Sequence, residues 1–500
     1  MRLVVILLVL PFVVGSQDCD HRDFNNGATV CVCTADYCDT IDPVEKQPEG
    51  SYVLYTSNKR GHRLTKTTGN FGKASGKALT INRLKTYQEI IGFGGAFTDA
   101  VGVNLMGLNE KAREHLLRSY FSEDGIEYNM VRVPIGGTDF STYGYSYLDQ
   151  DPTFSAENYT LSKEDFELKL PLIKAAERMS NKKLDFLASA WISPKEWKTN
   201  NDYAGSGFLK QEYYQAWVDY CLRFLDLYKE QGVEFWGITT GNELSLVLAP
   251  FNRIPTVGFT PKNHTKWVRD NLGPTIKNSS YADLKVIALD DQRFLLPILE
   301  KQLEDQEFKK YLDGVGIHWY WDMIVPIKWV ANFHEKHPDL FLLGTEACRG
   351  TFIFEDAVKL GSWDRAEDYA TDIIDDLENW LGGWMDWNVA LDLTGGPTYI
   401  NNNVDSPIIV NATNGEFFKQ PMFYIMGHFS KFLPKQSIRF DIDKHENLKV
   451  IAFQRPDNGT TIVVLNKSNN YVEAFRIYDE DRGEILMDIS PRSISTILYW

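Results

Sequence analysis

Two glutamates, remote in sequence, each close a short apolar run: Val233–Thr240 leads into Asn242-Glu243, and Leu340–Thr345 leads into Glu346. A pair of carboxyl groups facing one bond is the equipment for acetal hydrolysis. One carboxylic acid protonates the departing oxygen, and one carboxylate attacks carbon or activates water. Other reactive side chains stand at the ends of neighbouring runs: Asp139, Trp191, His318, Tyr320, Trp384 and Trp387. Aromatic rings offer flat apolar surfaces to the C–H faces of a sugar. Taken singly, each residue has a plainer explanation. A glutamate at a strand end is often a solvated loop charge, aromatics most often pack a core, and His318 could be a satisfied core histidine. Cys348 lies two residues beyond Glu346, but no motif pairs it with an activating histidine. No His/Cys cluster has metal-ligand spacing, so neither a metal nor a cofactor is expected.

The elements that must position these residues show a regular pattern. Eight apolar runs (Ile90–Thr98, Tyr128–Pro134, Leu184–Trp191, Val233–Thr240, Leu284–Asp290, Val315–Tyr320, Leu340–Thr345 and Gly383–Leu391) alternate with helix-like stretches such as Glu110–Tyr120, Ser162–Met179, Glu212–Glu230 and Arg365–Trp380. In Glu212–Glu230, Trp217, Tyr220, Cys221, Phe224 and Tyr228 recur at helical spacing. Near-continuous apolar strands alternating with helices predict an α/β fold, a (β/α)8 TIM barrel, with chemistry at the carboxyl ends of its strands. The alternative, an open doubly wound sheet, lacks its Gly-rich phosphate loop: Gly92-Phe93-Gly94-Gly95 has no third glycine and sits within the strand. Outside the barrel, Gly50–Asn82 and Leu448–Trp500 have all-β texture, with strands expected at Lys449–Phe453, Thr460–Leu465, Val472–Ile477 and Ser493–Trp500. Two such segments flanking a barrel can build one β-sandwich.

Bulk properties limit the setting. The chain has 500 residues, 43% of them hydrophobic and 13% aromatic, with a net charge of −16. That charge excludes a nucleic-acid surface, which needs an excess of Lys and Arg. Contact with an anionic membrane would need an apolar or basic patch, acid protonation or a helper protein. Residues 1–16 hold one arginine, an apolar run and small residues before a cleavage point, and read as a secretory signal. Cys19, Cys31, Cys33 and Cys38 crowd just behind it, suggesting two disulfides on a small module. Three pairings are formally open, of which Cys31–Cys33 is the least favourable because one intervening residue strains the ring. Cys221 and Cys348 read as free thiols. Six sequons, at Asn158, Asn263, Asn278, Asn411, Asn458 and Asn466, fit a glycosylated exported chain.

The segments around these residues resemble the glucosylceramidase family of glycoside hydrolase family 30. They include Val131-Arg132-Val133-Pro134 with Asp139-Phe140, Leu187-Ala188-Ser189 leading to Trp191, Leu289-Asp290-Asp291-Gln292-Arg293 and His318-Trp319-Tyr320. Further along lie Glu346-Ala347-Cys348, Gly361-Ser362-Trp363-Asp364-Arg365, Asp386-Trp387-Asn388, Val404-Asp405-Ser406-Pro407 and Lys419-Gln420-Pro421-Met422-Phe423-Tyr424. Their shared order across almost the whole mature chain makes the resemblance specific.

The resemblance implies that Glu243 is the acid/base and Glu346 the nucleophile of a retaining β-glucosidase. Asp139, Trp191, Asn242, Trp387 and Asn402 would hold the glucose ring. Tyr320 would stand beside the nucleophile, and Arg132 and His318 behind the carboxylates. It further implies the pairs Cys19–Cys31 and Cys33–Cys38, and a three-part build. The parts are a Cys-rich three-stranded sheet module (17–44 and 389–417), a β-sandwich (45–87 and 435–500) and the catalytic barrel (88–388 and 418–434). Retention requires carboxyl groups about 5–5.5 Å apart. The implied substrate is glucosylceramide in anionic membranes, met by peripheral contact in the lysosome lumen or outside the cell, with a saposin-type activator protein as a further partner. Alternatives are a family member acting on another β-glucoside or β-xyloside, and a catalytically silent carbohydrate-binding protein. Departures from the family's pattern lie on the lipid side: Leu244 stands where proline usually follows the acid/base, the loop Val247–Val257 lacks paired aromatics, Arg349 replaces a small apolar residue, and Ile353-Phe354 replaces an aromatic pair.

Overall fold

The computed structural model describes residues 17–73, 78–151, 153–249, 251–352 and 354–500. The expected signal over residues 1–16, and Ile353, lie outside the described residues. Eight parallel strands close into a barrel: β1 Gly92–Ala96, β2 Met130–Pro134, β3 Asp185–Ser189, β4 Phe235–Thr239, β5 Lys285–Gln292, β6 Gly314–His318, β7 Phe341–Glu346 and β8 Leu381–Asn388. Each coincides with one of the eight apolar runs. Their residues are almost all buried because helices cover the outside and side chains fill the inside. Met130, Leu187, Ile287, Leu343 and Met385 form the plug at the barrel's centre.

Local chemistry sets the ends of the surrounding helices. Thr98 and Asn109 cap helices Asp99–Gly107 and Glu110–Phe121 by accepting from Val101 N and Ala112 N. Ser362 does the same for helix Trp363–Glu378. Helix Tyr214–Glu230 buries Trp217, Tyr220, Cys221, Phe224 and Tyr228, the stripe that its spacing predicts. The glycines of β1 prove to be packing devices. A Cβ at Gly94 would lie 1.9 Å from the Met130 carbonyl oxygen, so β1 and β2 approach only without a side chain there.

Two further sheets flank the barrel. Strands from 51–89 and from 438–499 pair into one nine-stranded sheet system around Phe440, Val464, Phe475 and Ile497, joining segments from either side of the barrel in sequence. Strands Ile438–Ile442 and Gly483–Ile489 were not evident in sequence, because polar residues interrupt their alternation. The small module centres on Thr29–Cys33, Glu416–Lys419 and Ile408–Asn411, and short edge strands His21–Asp23 and Leu391–Asp392 extend it to five. Disulfides Cys19–Cys31 and Cys33–Cys38 staple it, while Cys221 and Cys348 are buried free thiols. Among the described residues no helix is long and apolar enough to cross a membrane.

Candidate active site

All eight residues expected at the sugar line one cavity of about 610 Å³ at the carboxyl end of the barrel: Asp139, Trp191, Asn242, Glu243, Tyr320, Glu346, Trp387 and Asn402. An oxygen of Glu243 and one of Glu346 lie within 4.8 Å of each other, with a nitrogen of His318 in the same cluster. Trp191 and Trp387 stack with centroids 4.8 Å apart. Asn402 Nδ2 donates to Asp139 Oδ2 at 2.9 Å, and Asp139 Oδ1, also buried, has no hydrogen-bond partner among the described residues. Asp139 is therefore anchored on one oxygen and free to meet a hydroxyl with the other.

Behind the two glutamates lies a buried charge network. The Arg132 guanidinium is wholly enclosed. It donates to Glu346 Oε2, to Asp290 Oδ2 at 2.6 Å and to Asn242 Oδ1 at 2.8 Å, and it faces the Trp191 ring at 4.5 Å. His318 bridges Glu243 Oε1 (2.9 Å from Nδ1) and Asp290 Oδ1 (3.1 Å from Nε2). Burial alone would depress His318, but Glu346, Asp290 and Glu243 more than reverse this and push it up to about 10, so it is an imidazolium donating from both nitrogens. Burial likewise opposes ionisation of Asp290, yet Arg132 and then His318 hold it well below the usual carboxylate range. Tyr320 donates its hydroxyl to Glu346 Oε1 at 2.8 Å.

Glu346 is pulled both ways. Desolvation raises it above the ordinary glutamate value, His318 and Arg132 lower it, the nearby Glu243 raises it, and the Tyr320 hydrogen bond lowers it; the net direction is upward. Arg132 does favour the charged form, as the sequence reading expects, but enclosure outweighs it. Burial pushes Asp139 up to about 7, and Asn402 holds it back.

Backbone distortions aim these groups. Leu289 and Asp290 have φ values of 69° and 51°, and the pairing of β5 with β6 shifts register between Leu289 and Asp291. That bulge turns Asp290 inward to Arg132 and His318. A second shift between Ile317 and His318 sets His318 opposite Glu346. Glu243 itself has φ 42°. Without the usual proline after it, its backbone is pinned by Glu243 N donating to the Asp290 carbonyl (2.9 Å) and Leu246 N donating to the Glu243 carbonyl (3.0 Å).

Asp290 and Gln292 belong to the site without having been assigned a role from sequence. Gln292 Nε2 donates to Glu243 Oε1 at 2.6 Å. The signal was there, an acidic pair and an amide closing the fifth apolar run, but which of them faces inward depends on the bulge. Trp384 points the other way: its Nε1 donates to Asp372 on the outer helix, because successive residues of a strand face opposite sides. One sequon fails. Asn466 is fully buried and its amide donates to the carbonyls of Tyr471 and Ile489, so it is not a glycosylation acceptor. Asn158, Asn278 and Asn458 are exposed, and Asn263 and Asn411 half-buried. Cys348 is enclosed beside Tyr320, and burial pushes its thiol far up, which disfavours the thiolate.

The family is evident from whole-chain comparison. A family model described as the glycosyl hydrolase family 30 TIM-barrel domain matches residues 90–433, and one described as the family 30 beta sandwich domain matches residues 436–497. The chain is 41% identical over 502 residues to the lysosomal acid glucosylceramidase of Mus musculus, covering 98% of this chain and 97% of that one. Among solved structures, SrfJ from Salmonella typhimurium superposes with a TM-score of 0.82 at 25% identity, over 90% of this chain and 99% of that one. The endo-beta1,6-glucanase BT3312 has the same fold, with a TM-score of 0.80 at 23% identity, over 90% of this chain and 99% of that one. With its barrel, its sandwich and its paired glutamates, this chain belongs to glycosyl hydrolase family 30 and is a glycoside hydrolase.

Proposed function

We propose that the protein hydrolyses glucosylceramide to glucose and ceramide with retention of configuration, at a membrane surface in the lysosome. The observation that carries this reading is the approach of the Glu243 and Glu346 oxygens to within 4.8 Å in the cavity that Trp191 and Trp387 also line. That spacing suits direct attack by a carboxylate; an inverting enzyme keeps its carboxyls about 6.5–9.5 Å apart to admit water. The named activity of the mouse relative supplies the substrate.

In this mechanism Glu346 attacks the anomeric carbon while Glu243 gives its proton to the ceramide oxygen. Bond formation neutralises Glu346 and removes the charge that kept the proton on Glu243. Glu243 then takes a proton from water, which attacks the same carbon from the face the ceramide left and frees Glu346. Arg132 and Tyr320 hold the attacking carboxylate in line. His318 and Gln292 hold Glu243, and Asp139, Asn242 and Asn402 bind glucose hydroxyls against the Trp191 and Trp387 rings.

The rim favours a lipid aglycone. Leu248, Phe294 and Trp321 line the cavity and remain exposed, and Phe251, 93% exposed, sits in the same loop as Leu248. Met323, Ile324 and Phe354 add exposed apolar surface on nearby turns. The loop 247–257 thus carries apolar residues in place of the paired aromatics. A saposin-type activator would offset the repulsion between a chain of charge −16 and anionic lipid.

The test is hydrolysis by the purified protein of glucosylceramide in vesicles, with and without anionic lipid, against a soluble alkyl β-glucoside. Cleavage of the lipid, faster in anionic vesicles at acid pH, is the expected result. Cleavage of the soluble glucoside with the lipid left intact would overturn the ceramide assignment and favour another β-glucoside.

A further inference from the structure

Beside β8, whose Trp384 donates to Asp372, the turn that follows Tyr320 meets helix Trp363–Glu378. Three carboxylates meet there. Asp322 on the turn and Asp372 and Asp376 on the helix each place an oxygen within 4.8 Å of the others. Asp372 and Asp376 are four residues apart, so one helical face carries two like charges, an arrangement that destabilises a helix. None of the three lines the cavity that holds Glu243 and Glu346.

Charge counting leaves the cluster short of cations. Arg293 reaches it, with Nε 3.0 Å from Asp322 Oδ1 and Nη2 donating to the Asp322 carbonyl. Nearby Asp375 pairs with Lys449, and Asp368 with Arg349, so those charges are already matched. Asp372 has one oxygen fixed by Trp384 Nε1 at 2.9 Å. Asp376 is only 4% exposed, one of its oxygens lies within 4.8 Å of the other two acids, and its buried Oδ1 has no hydrogen-bond partner among the described residues. A buried carboxylate oxygen left without a donor is costly unless something positive meets it. With all three ionised, one guanidinium would leave two negative charges for one divalent ion to cancel; without an ion, burial pushes all three acids upward, and repulsion from Asp372 adds to this for Asp322 and Asp376. A cavity of about 460 Å³ reaches Asp322 and Asp372 from solvent, giving an ion a path in and room for the waters that complete its shell.

We propose that Asp322, Asp372 and Asp376 form a binding site for a hard divalent cation, calcium in the first place, that ties the turn after Tyr320 to helix Trp363–Glu378. All-oxygen, carboxylate-rich donors select calcium, magnesium or manganese over softer metals, and calcium tolerates the irregular geometry that two helix side chains and a turn provide. The ion does not touch substrate. Its position gives it a structural hold on the segment that carries Tyr320, whose hydroxyl donates to Glu346, and the exposed Trp321 and Ile324 of the rim.

The experiment uses the full chain, stripped with chelator and titrated near neutral pH with terbium, then with calcium. Terbium emission excited through tryptophan should rise to saturation at one equivalent, with Trp384 as the nearby antenna, and calcium should displace it. Calcium between about 10 μM and about 1 mM should raise the melting temperature by a few degrees. Asp376→Asn and Asp372→Asn should each lose both responses. In chelator their melting temperatures should match or exceed the parent's, since each removes one of three crowded charges. Should either variant fail to fold, Asp322→Asn together with the terbium stoichiometry of the parent serves in its place. A parent with no saturable emission and no calcium-dependent shift overturns the site, as do variants that respond like the parent. A melting temperature that moves with pH but not with calcium also overturns it, because the acids would then be sharing a proton.

Discussion

At the scale of single residues, the chemistry rests on two carboxyl groups whose oxygens approach within 4.8 Å and whose surroundings differ. Arg132 and Tyr320 grip Glu346, and Gln292 and His318 grip Glu243. Glu346→Gln should abolish turnover and covalent labelling by a β-glucose epoxide, read by intact mass. Glu243→Gln should still be labelled. It should lose about 10²–10⁴-fold in turnover of poor leaving groups while sparing the first step with activated aryl glucosides. Labelling of Glu346→Gln at the parent's rate would sink the assignment. The pH profile has an acid limb set by the nucleophile: because enclosure raises Glu346, activity should fall on the acid side as that carboxylate takes up a proton. His318 makes a separate prediction about stability. Its value is raised in the folded state from 6.5 to about 10, so the stabilisation it provides is complete below about 6.5 and lost as pH rises through about 10. Urea midpoints of the parent should decline across that window, and His318→Gln should flatten the decline. An unchanged slope would count against a buried imidazolium. Of these residues, Glu243, Glu346, His318 and Arg132 were legible as types at strand ends or in family motifs. Asp290 and Gln292 were visible only as part of a polar run, because their inward aim depends on a bulge that apolar patterning does not encode.

At the scale of elements, the barrel strands are the most legible part of the molecule. Strands buried on both faces must be apolar throughout, and helices covering them must show an apolar stripe, so both leave strong marks in sequence. What such strands hide is register and facing: Trp384 and Trp387 read alike, yet one packs against Asp372 outside and the other stacks on Trp191 inside. The weakly patterned strands Ile438–Ile442 and Gly483–Ile489 went unread for the complementary reason, since a half-exposed strand tolerates polar residues on one face. The loop 247–257 carries a prediction of its own. Phe251 stands 93% exposed near the cavity mouth, and burial of a phenylalanine is worth about 1.5–3 kcal/mol. Phe251→Ser should therefore slow hydrolysis of glucosylceramide in vesicles about tenfold or more and leave the rate on a soluble β-glucoside unchanged. Equal loss on both substrates would show that the side chain supports the fold instead of meeting a membrane.

At the scale of the whole molecule, the net charge of −16 sets the terms for any membrane encounter. Repulsion from anionic lipid weakens as carboxylates protonate, so co-sedimentation with anionic vesicles should increase on going from about pH 7 to about pH 5, with a smaller change for neutral vesicles. Binding that is strongest at neutral pH would point instead to a basic patch. Segments 51–89 and 438–499 meet in the nine-stranded sheet, and Cys31 and Cys33 lie on a strand paired with Glu416–Lys419. The small module thus depends on segments nearly 400 residues apart, and its disulfides staple only the N-terminal one.

The amino-acid sequence by itself determined the class of fold, the order of strands and helices, the membership of the family and the identity of the acids at the strand ends, because burial, periodicity and motif spacing are local properties. It did not determine distances between side chains remote in the chain. The approach of Glu243 to Glu346, the inward turn of Asp290, the imidazolium state of His318, the burial of Asn466 and the crowding of Asp322, Asp372 and Asp376 were decided by closure of the barrel, by its bulges and by the packing of helix Trp363–Glu378. Each of these is a matter of which groups share one enclosed space, and only the folded chain defines that space.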